Sequence, residues 1–260
     1  VLALLAGSDI LLQPTDPVIA VRAVTQAVRE GRVSEARLDR SVLRVLELKQ
    51  RLGLFQRRTV DLDSVGYFVG NRPFQEAARG ASARALVLLK DSTAIIDSLA
   101  RGPRRIALVT YGEANASTVG GVLTSALRRQ GHEVSAFRLY PTSGPASYDS
   151  ATALLAQAPY RLVAVSVRAR ESKGGITMPE PLSALIDRAG RSTLAVSFGS
   201  PYLISQVASV PGYLLAWTTN PLTEEAVAAA LAGAPITGRL PVEIPPAWPI
   251  GAGMSRGAAP

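Results

Sequence analysis

From residue 73 onward, short apolar runs alternate with helix-length segments, and no other feature constrains the fold of this chain as strongly. A helix over about 73–84 leads into the apolar run Ala85–Leu89. Strands are then predicted at Arg105–Thr110, Glu133–Leu139, Arg161–Val167, Ser192–Phe198 and Tyr213–Trp217, with helices over 115–130, 148–158, 179–189 and 223–232 between and after them. Strands this uniformly apolar bury both of their faces, which is the mark of a mostly parallel sheet covered by helices on either side. Right-handed crossovers make that a doubly wound α/β domain, predicted over residues 73–244. The last stretch, 245–260, is rich in Pro, Gly and Ala and reads as a surface strap or the start of a linker.

Residues 1–55 carry a different pattern. The segment LLAGSDILLQP reads as a helix end, a glycine turn and a buried strand. Asp16-Pro17 starts a helix, because Asp caps orphan N–H groups and Pro suits the first helical position. Val18, Val21, Val24 and Val28 mark its apolar face, and Gly31 ends it. Ser34 caps a second helix with Leu38, Val42, Val45 and Leu52 on one face and Gly53 as its stop. Helices joined this tightly pack side by side. Residues 56–72, with Gly66 and Gly70, read as a linker.

Composition narrows the function. A hydrophobic share of 47% with 18% charged residues fits a globular protein with a sizeable core. No apolar run approaches the ~20 residues that span a bilayer. VLALL lacks a positive n-region and is not read as a signal segment. Because the chain starts at Val1 inside apparent structure, a fragment or a processed chain is expected. The absence of cysteine excludes disulfides and thiolate chemistry and leaves the compartment open. The net charge of +8 comes almost wholly from arginine, spread along the sequence without interleaved aromatics, so nucleic acid is not an expected partner. No cofactor or metal is expected, and the oligomeric state is left open.

Two separated regions carry a family resemblance. AGSDILLQPTD and AVREGRVSEARLDRSVLRVLELKQRLGLF resemble the end of the barrel domain in family 3 glycoside hydrolases, with matches that include Gly7, Asp9, Gly31, Arg37, Asp39, Ser41, Arg44, Lys49 and Gly53. SFGSPYLI (197–204) and GRLPVEIP (238–245) resemble two turns of that family's second domain. The flavour is closest to two-domain enzymes of the β-N-acetylglucosaminidase type. The resemblance implies the end of a (β/α)8-type barrel over residues 1–55, followed by the doubly wound domain. It also implies a carbohydrate substrate, bound through barrel elements outside this sequence. Retaining hydrolysis needs a carboxylate nucleophile and a general acid/base. In the resembled family the nucleophile is an Asp upstream of the AG-x-D segment, and in the β-N-acetylglucosaminidase branch the acid/base is a His further upstream. No residue here matches either one, so the chain alone is expected to be inactive. The parent is expected to hydrolyse β-linked (N-acetyl)glucosaminides or related β-glucosides. Two other readings stand beside it: a non-catalytic, carbohydrate-contacting accessory domain, and a free-standing small-ligand module supported by the alternation alone.

Candidate site residues are few. Asp9 admits two readings: a carboxylate that caps local backbone N–H groups, or support for a sugar site. Glu171 falls near the place where the family's β-glucosidase branch carries an acid/base Glu between glycines, although Arg170 and Ser172 stand there instead. Arg168, Arg170 or Lys173 beside it would lower its pKa, which suits a base better than an acid. The other reading of Glu171 is a solvated loop or cleft-rim residue. Arg168 and Lys173 are candidates to contact an anionic or N-acetylated sugar. His132 follows Gly131 and reads as a surface helix-to-strand turn. Ser200 lacks the G-x-S-x-G setting of a nucleophile elbow, and the glycine pairs lack the dinucleotide-binding order.

Overall fold

The computed structural model describes residues 1–112, 119–167 and 176–257. It divides into two compact units, Val1–Asn71 and Arg72–Pro260.

The second unit is built on one six-stranded sheet. Its strands are β1 (Val87–Asp91), β2 (Arg105–Tyr111), β3 (Glu133–Leu139), β4 (Tyr160–Val165), β5 (Thr193–Ser197) and β6 (Gly212–Leu215), in the order β1-β6-β5-β4-β2-β3. All neighbours run parallel except β1, which pairs antiparallel with β6. Alternate residues of each strand enter different cores. Ile106, Leu108, Leu162, Leu194 and Val196 face one side. Ala107, Val109, Val163, Val165 and Ala195 face the other. Both faces are dry, which is why these strands read as unbroken apolar runs.

Helices cover the two faces. Ile95, Ile96 and Leu99 of α6 (Ile95–Ala100), Leu123 and Leu127 of α7 (Gly121–Arg129) and Val227 and Leu231 of α10 (Pro221–Leu231) fill the first core. Leu155 of α8 (Pro145–Ala156), with Leu182, Leu185 and Ile186 of α9 (Glu180–Arg188), fills the second. Leu203 and Ile204, from a 3-10 helix over Pro201–Gln206, join them there. Helix α5 (Arg72–Ala85) leads into β1. The sequence pattern anticipated these elements except α6, whose single buried turn and a half is too short for a periodic signal, and the 3-10 helix.

The end of the chain lies along the outer edge of β1. The Met254 N–H donates to the Leu88 carbonyl at 2.7 Å, and Ile236 and Arg256 form a further bridge. This strap covers polar backbone that an edge strand otherwise exposes. It explains the glycine of GRLPV: a Cβ on Gly238 would sit 2.2 Å from the Leu86 carbonyl oxygen. His132 corrects an expectation. It does lie in the turn between α7 and β3, but it is buried, and its Nδ1 accepts the Arg104 N–H at 3.1 Å. Burial, and then the Arg104 charge, pull its pKa below the usual value.

The first unit contains α1 (Leu2–Leu5), α2 (Pro17–Arg29), α3 (Glu35–Arg51), a 3-10 turn at Leu62–Ser64 and α4 (Val65–Phe68). The predicted caps are present. Asp16 Oδ1 accepts from the N–H groups of Val18 and Ile19, and Ser34 Oγ accepts from that of Arg37. Ala27 and Val33 are buried where α2 turns into α3. The apolar faces, however, are largely uncovered: Val18, Val21, Val42 and Leu52 are all more than half exposed. Residues 8–14 form no strand, and Ile10 and Leu12 are exposed. A strand needs a neighbour to take up its backbone groups, and these residues have none among the described residues. The barrel part of the expected fold is therefore not seen in this chain, whereas the mixed, mostly parallel α/β sheet is.

Candidate functional site

In the first unit the motif residues converge on Asp9. Ser41 Oγ donates to its Oδ1 at 2.7 Å, Arg37 Nη1 to Oδ1 at 3.2 Å and Arg44 Nη1 to Oδ2 at 2.8 Å. Arg37 also donates to Ser41 Oγ and to the carbonyls of Leu4 and Ser8. The spacing 37, 41, 44 places all three donors on one face of α3. The Ser41 and Arg44 hydrogen bonds, helped by the arginine charge, hold the Asp9 carboxyl at about 2, below its usual 3.8. Asp9 thus ties the glycine turn after α1 to α3. Beside it, Leu38, Val42, Val45 and Leu46 line a cavity of about 290 Å³.

In the second unit the carboxyl ends of the parallel strands form the site-bearing edge, where ligands bind in doubly wound sheets. The chain crosses from β3 to β4 over β2, so the switch point lies between the ends of β2 and β4. Next to it, Ser166, Val167, Gly199, Ser200, Trp217 and Thr218 line a cavity of about 420 Å³. Trp217 is held in the left-handed region (φ 66°), and its indole N–H donates to the Ala85 carbonyl at 2.7 Å, which fixes the ring. Strained backbone of this kind concentrates at functional sites. Ser200 Oγ accepts from the Tyr202 N–H, capping the 3-10 helix. Gln206 secures the return of the chain: it accepts from the Met178 N–H at 2.7 Å and donates to the Ile176 carbonyl at 3.0 Å. Glu171, Arg168 and Lys173 lie outside the described residues.

Glu224 supports the same edge. Its carboxylate is buried on α10 and accepts from the N–H groups of Gly120 and Leu123, both at 3.0 Å, closing the start of α7. Gly120 has φ +78°, and a Cβ there would meet Thr110 Cγ2 at 2.3 Å. Burial raises the Glu224 pKa against these hydrogen bonds. Sequence reasoning singled out neither Glu224 nor Trp217. The signal for Glu224 was available, since positions 224, 227 and 231 share one helical face and the other two are apolar. Among the described residues, no group of three or more His, Asp or Glu side chains could hold a metal, and no helix is long and apolar enough to cross a membrane.

A doubly wound α/β domain with its cavity at the carboxyl edge, preceded by a helical unit with exposed apolar faces, defines the class. No family model matches the chain. It is 26% identical over 232 residues to a beta-N-acetylglucosaminidase/beta-glucosidase of Cellulomonas fimi, covering 83% of this chain and 40% of that protein. It is 40% identical over 87 residues to a periplasmic beta-glucosidase/beta-xylosidase of Dickeya chrysanthemi, covering 34% of this chain and 13% of that protein. In fold it matches the beta-glucoside phosphorylase BglX (TM-score 0.62, 20% identity, 89% of this chain and 42% of that one). It also matches a family 3 beta-N-acetylglucosaminidase from Paenibacillus (TM-score 0.59, 22% identity, 82% and 40%). The chain is similar to these proteins in sequence and fold, and it spans less than half of their length.

Proposed function

We propose that this chain is the carboxy-terminal part of a retaining β-glycosidase acting on β-linked N-acetylglucosaminides or related β-glucosides. The match to the Cellulomonas fimi protein carries the reading, because it runs through both units and that beta-N-acetylglucosaminidase/beta-glucosidase covers both substrate classes by name. In this reading Val1–Phe55 supplies the last elements of the barrel, residues 56–72 link the two domains, and the uncovered faces of α2 and α3 pack on the rest of the barrel. The nucleophile and the acid/base belong to barrel segments outside this sequence. The carboxyl edge of the sheet, with Trp217 and the 420 Å³ cavity, contributes to the wall of the sugar cleft. Asp9 acts indirectly, by fixing the turn after α1 within the barrel part, and Arg168 contacts substrate.

The test uses p-nitrophenyl N-acetyl-β-glucosaminide and p-nitrophenyl β-glucoside. The isolated chain should turn over neither, and the full-length parent at least one. Turnover by the chain alone would show that the essential groups lie within it. In the parent, Glu171→Gln should leave kcat within about twofold, because general acid catalysis contributes ~10²–10⁴-fold where it operates. A loss confined to substrates with poor leaving groups would instead assign the proton donor to Glu171.

A further inference from the structure

The amino edge of the sheet, opposite the cavity, gathers arginines that are far apart in sequence. Strands β2 to β6 run parallel, so every helix-to-strand connection among them reaches this edge. Arg101 and Arg105 bracket the junction of α6 with β2, Arg128 and Arg129 end α7 before β3, and Arg188 and Arg191 flank the junction of α9 with β5. All are exposed, and none takes part in an ion pair among the described residues. Arg128 donates to the Val134 carbonyl, and its charge is not neutralised by that bond. The carboxylates at this edge among the described residues include Glu133, in register with Arg105, Asp187, which accepts from the Ser209 hydroxyl, and Asp97, which lies 3.8 Å from Arg256. They are too few to balance the guanidiniums.

Guanidiniums without ion-pair partners on one edge favour a partner that carries repeated negative charge. Their planar forks match the oxygens of phosphate. Tyr213 at this edge is buried, and Arg104 lies over the ring of Tyr160, 5.8 Å from its centre. Among the described residues this leaves no open ring at the edge on which a nucleobase could stack, which favours a polymer of plain phosphates over nucleic acid. We propose that the amino edge of the sheet binds a linear polymer of repeating phosphate groups. The surface is independent of the glycosidase reading.

The experiment uses the whole chain and end-labelled linear polyphosphate, followed by fluorescence anisotropy at increasing salt. The chain should bind at low salt, with log affinity falling linearly against log salt concentration. R105Q/R129Q/R191Q should weaken binding at least about tenfold, whereas the control R22Q/R57Q/R58Q, which removes the same charge from the first unit, should stay within about twofold. R101Q/R188Q provides a second edge variant, and circular dichroism checks that each is folded. Absence of binding at low salt, or equal loss in edge and control variants, would overturn the proposal. So would a single-stranded oligonucleotide of equal charge that binds about tenfold more tightly than polyphosphate, since that would require base contacts. Competition by poly(glycerol phosphate) would extend the surface to phosphodiester polymers, and failure to compete would confine it to polyphosphate.

Discussion

Glu224 shows what one residue can hold in place. Its two oxygens satisfy backbone donors at the start of α7, and the left-handed Gly120 lets that backbone approach Thr110. Removing the carboxylate leaves buried N–H groups without partners, at about 1–3 kcal/mol each. Glu224→Ala should therefore lower the unfolding free energy by about 3 kcal/mol in urea denaturation. A loss below about 0.5 kcal/mol would mean that water replaces the carboxylate. The raised pKa has a definite sign. The folded state binds this proton more tightly than the unfolded chain does, so the linked stability is present below the carboxyl's ordinary 4.5 and is lost as pH rises through the raised value.

At the scale of elements, Asp9 joins the turn after α1 to α3 through side chains that sequence spacing alone aligns. Its depressed pKa works in the opposite direction. The contribution is present above the unfolded value of 3.8 and is lost as pH falls from about 4 towards 2, where the folded carboxyl titrates. Helical circular dichroism of Asp9→Asn and the parent sequence should differ in thermal midpoint at neutral pH and converge near pH 2. A difference that persists to the lowest pH would assign the effect to packing. The strap along β1 is an element of another kind, since no periodic pattern encodes it. Gly238, which leaves room for the Leu86 carbonyl, and Met254, which donates to Leu88, place it there.

For the whole molecule, the two units differ in how well they are built. The second has two cores, one on each face of the sheet. In the first, Leu4, Ala27 and Val33 are the buried apolar residues, while both long helices show apolar faces to solvent. Limited proteolysis should cut between Phe55 and Asn71 and leave residues 72–260 as the lasting fragment. Uniform protection of 56–71 would show instead that this stretch is packed. Exposed apolar patches of this kind mark interaction surfaces, so the released first unit should self-associate in size-exclusion chromatography.

The sequence by itself determined the longer helices, the caps Asp16 and Ser34, the strands of the sheet and the doubly wound class. These rest on periodicity and local hydrogen bonding, which are properties of neighbouring residues. It also carried the family resemblance, because the motif residues 37, 41 and 44 recur at helical spacing and meet on Asp9. Only the tertiary structure decided that β1 runs antiparallel, that His132 is buried, that Glu224 closes α7 and that Trp217 is fixed at the carboxyl edge. It also turned a scattered set of arginines into one charged rim, and it left the apolar faces of α2 and α3 without a cover. The reason is common to all of these. Burial, pairing direction and charge clustering depend on which distant segments meet, and in a parallel sheet that is set by crossover topology, which no local pattern records.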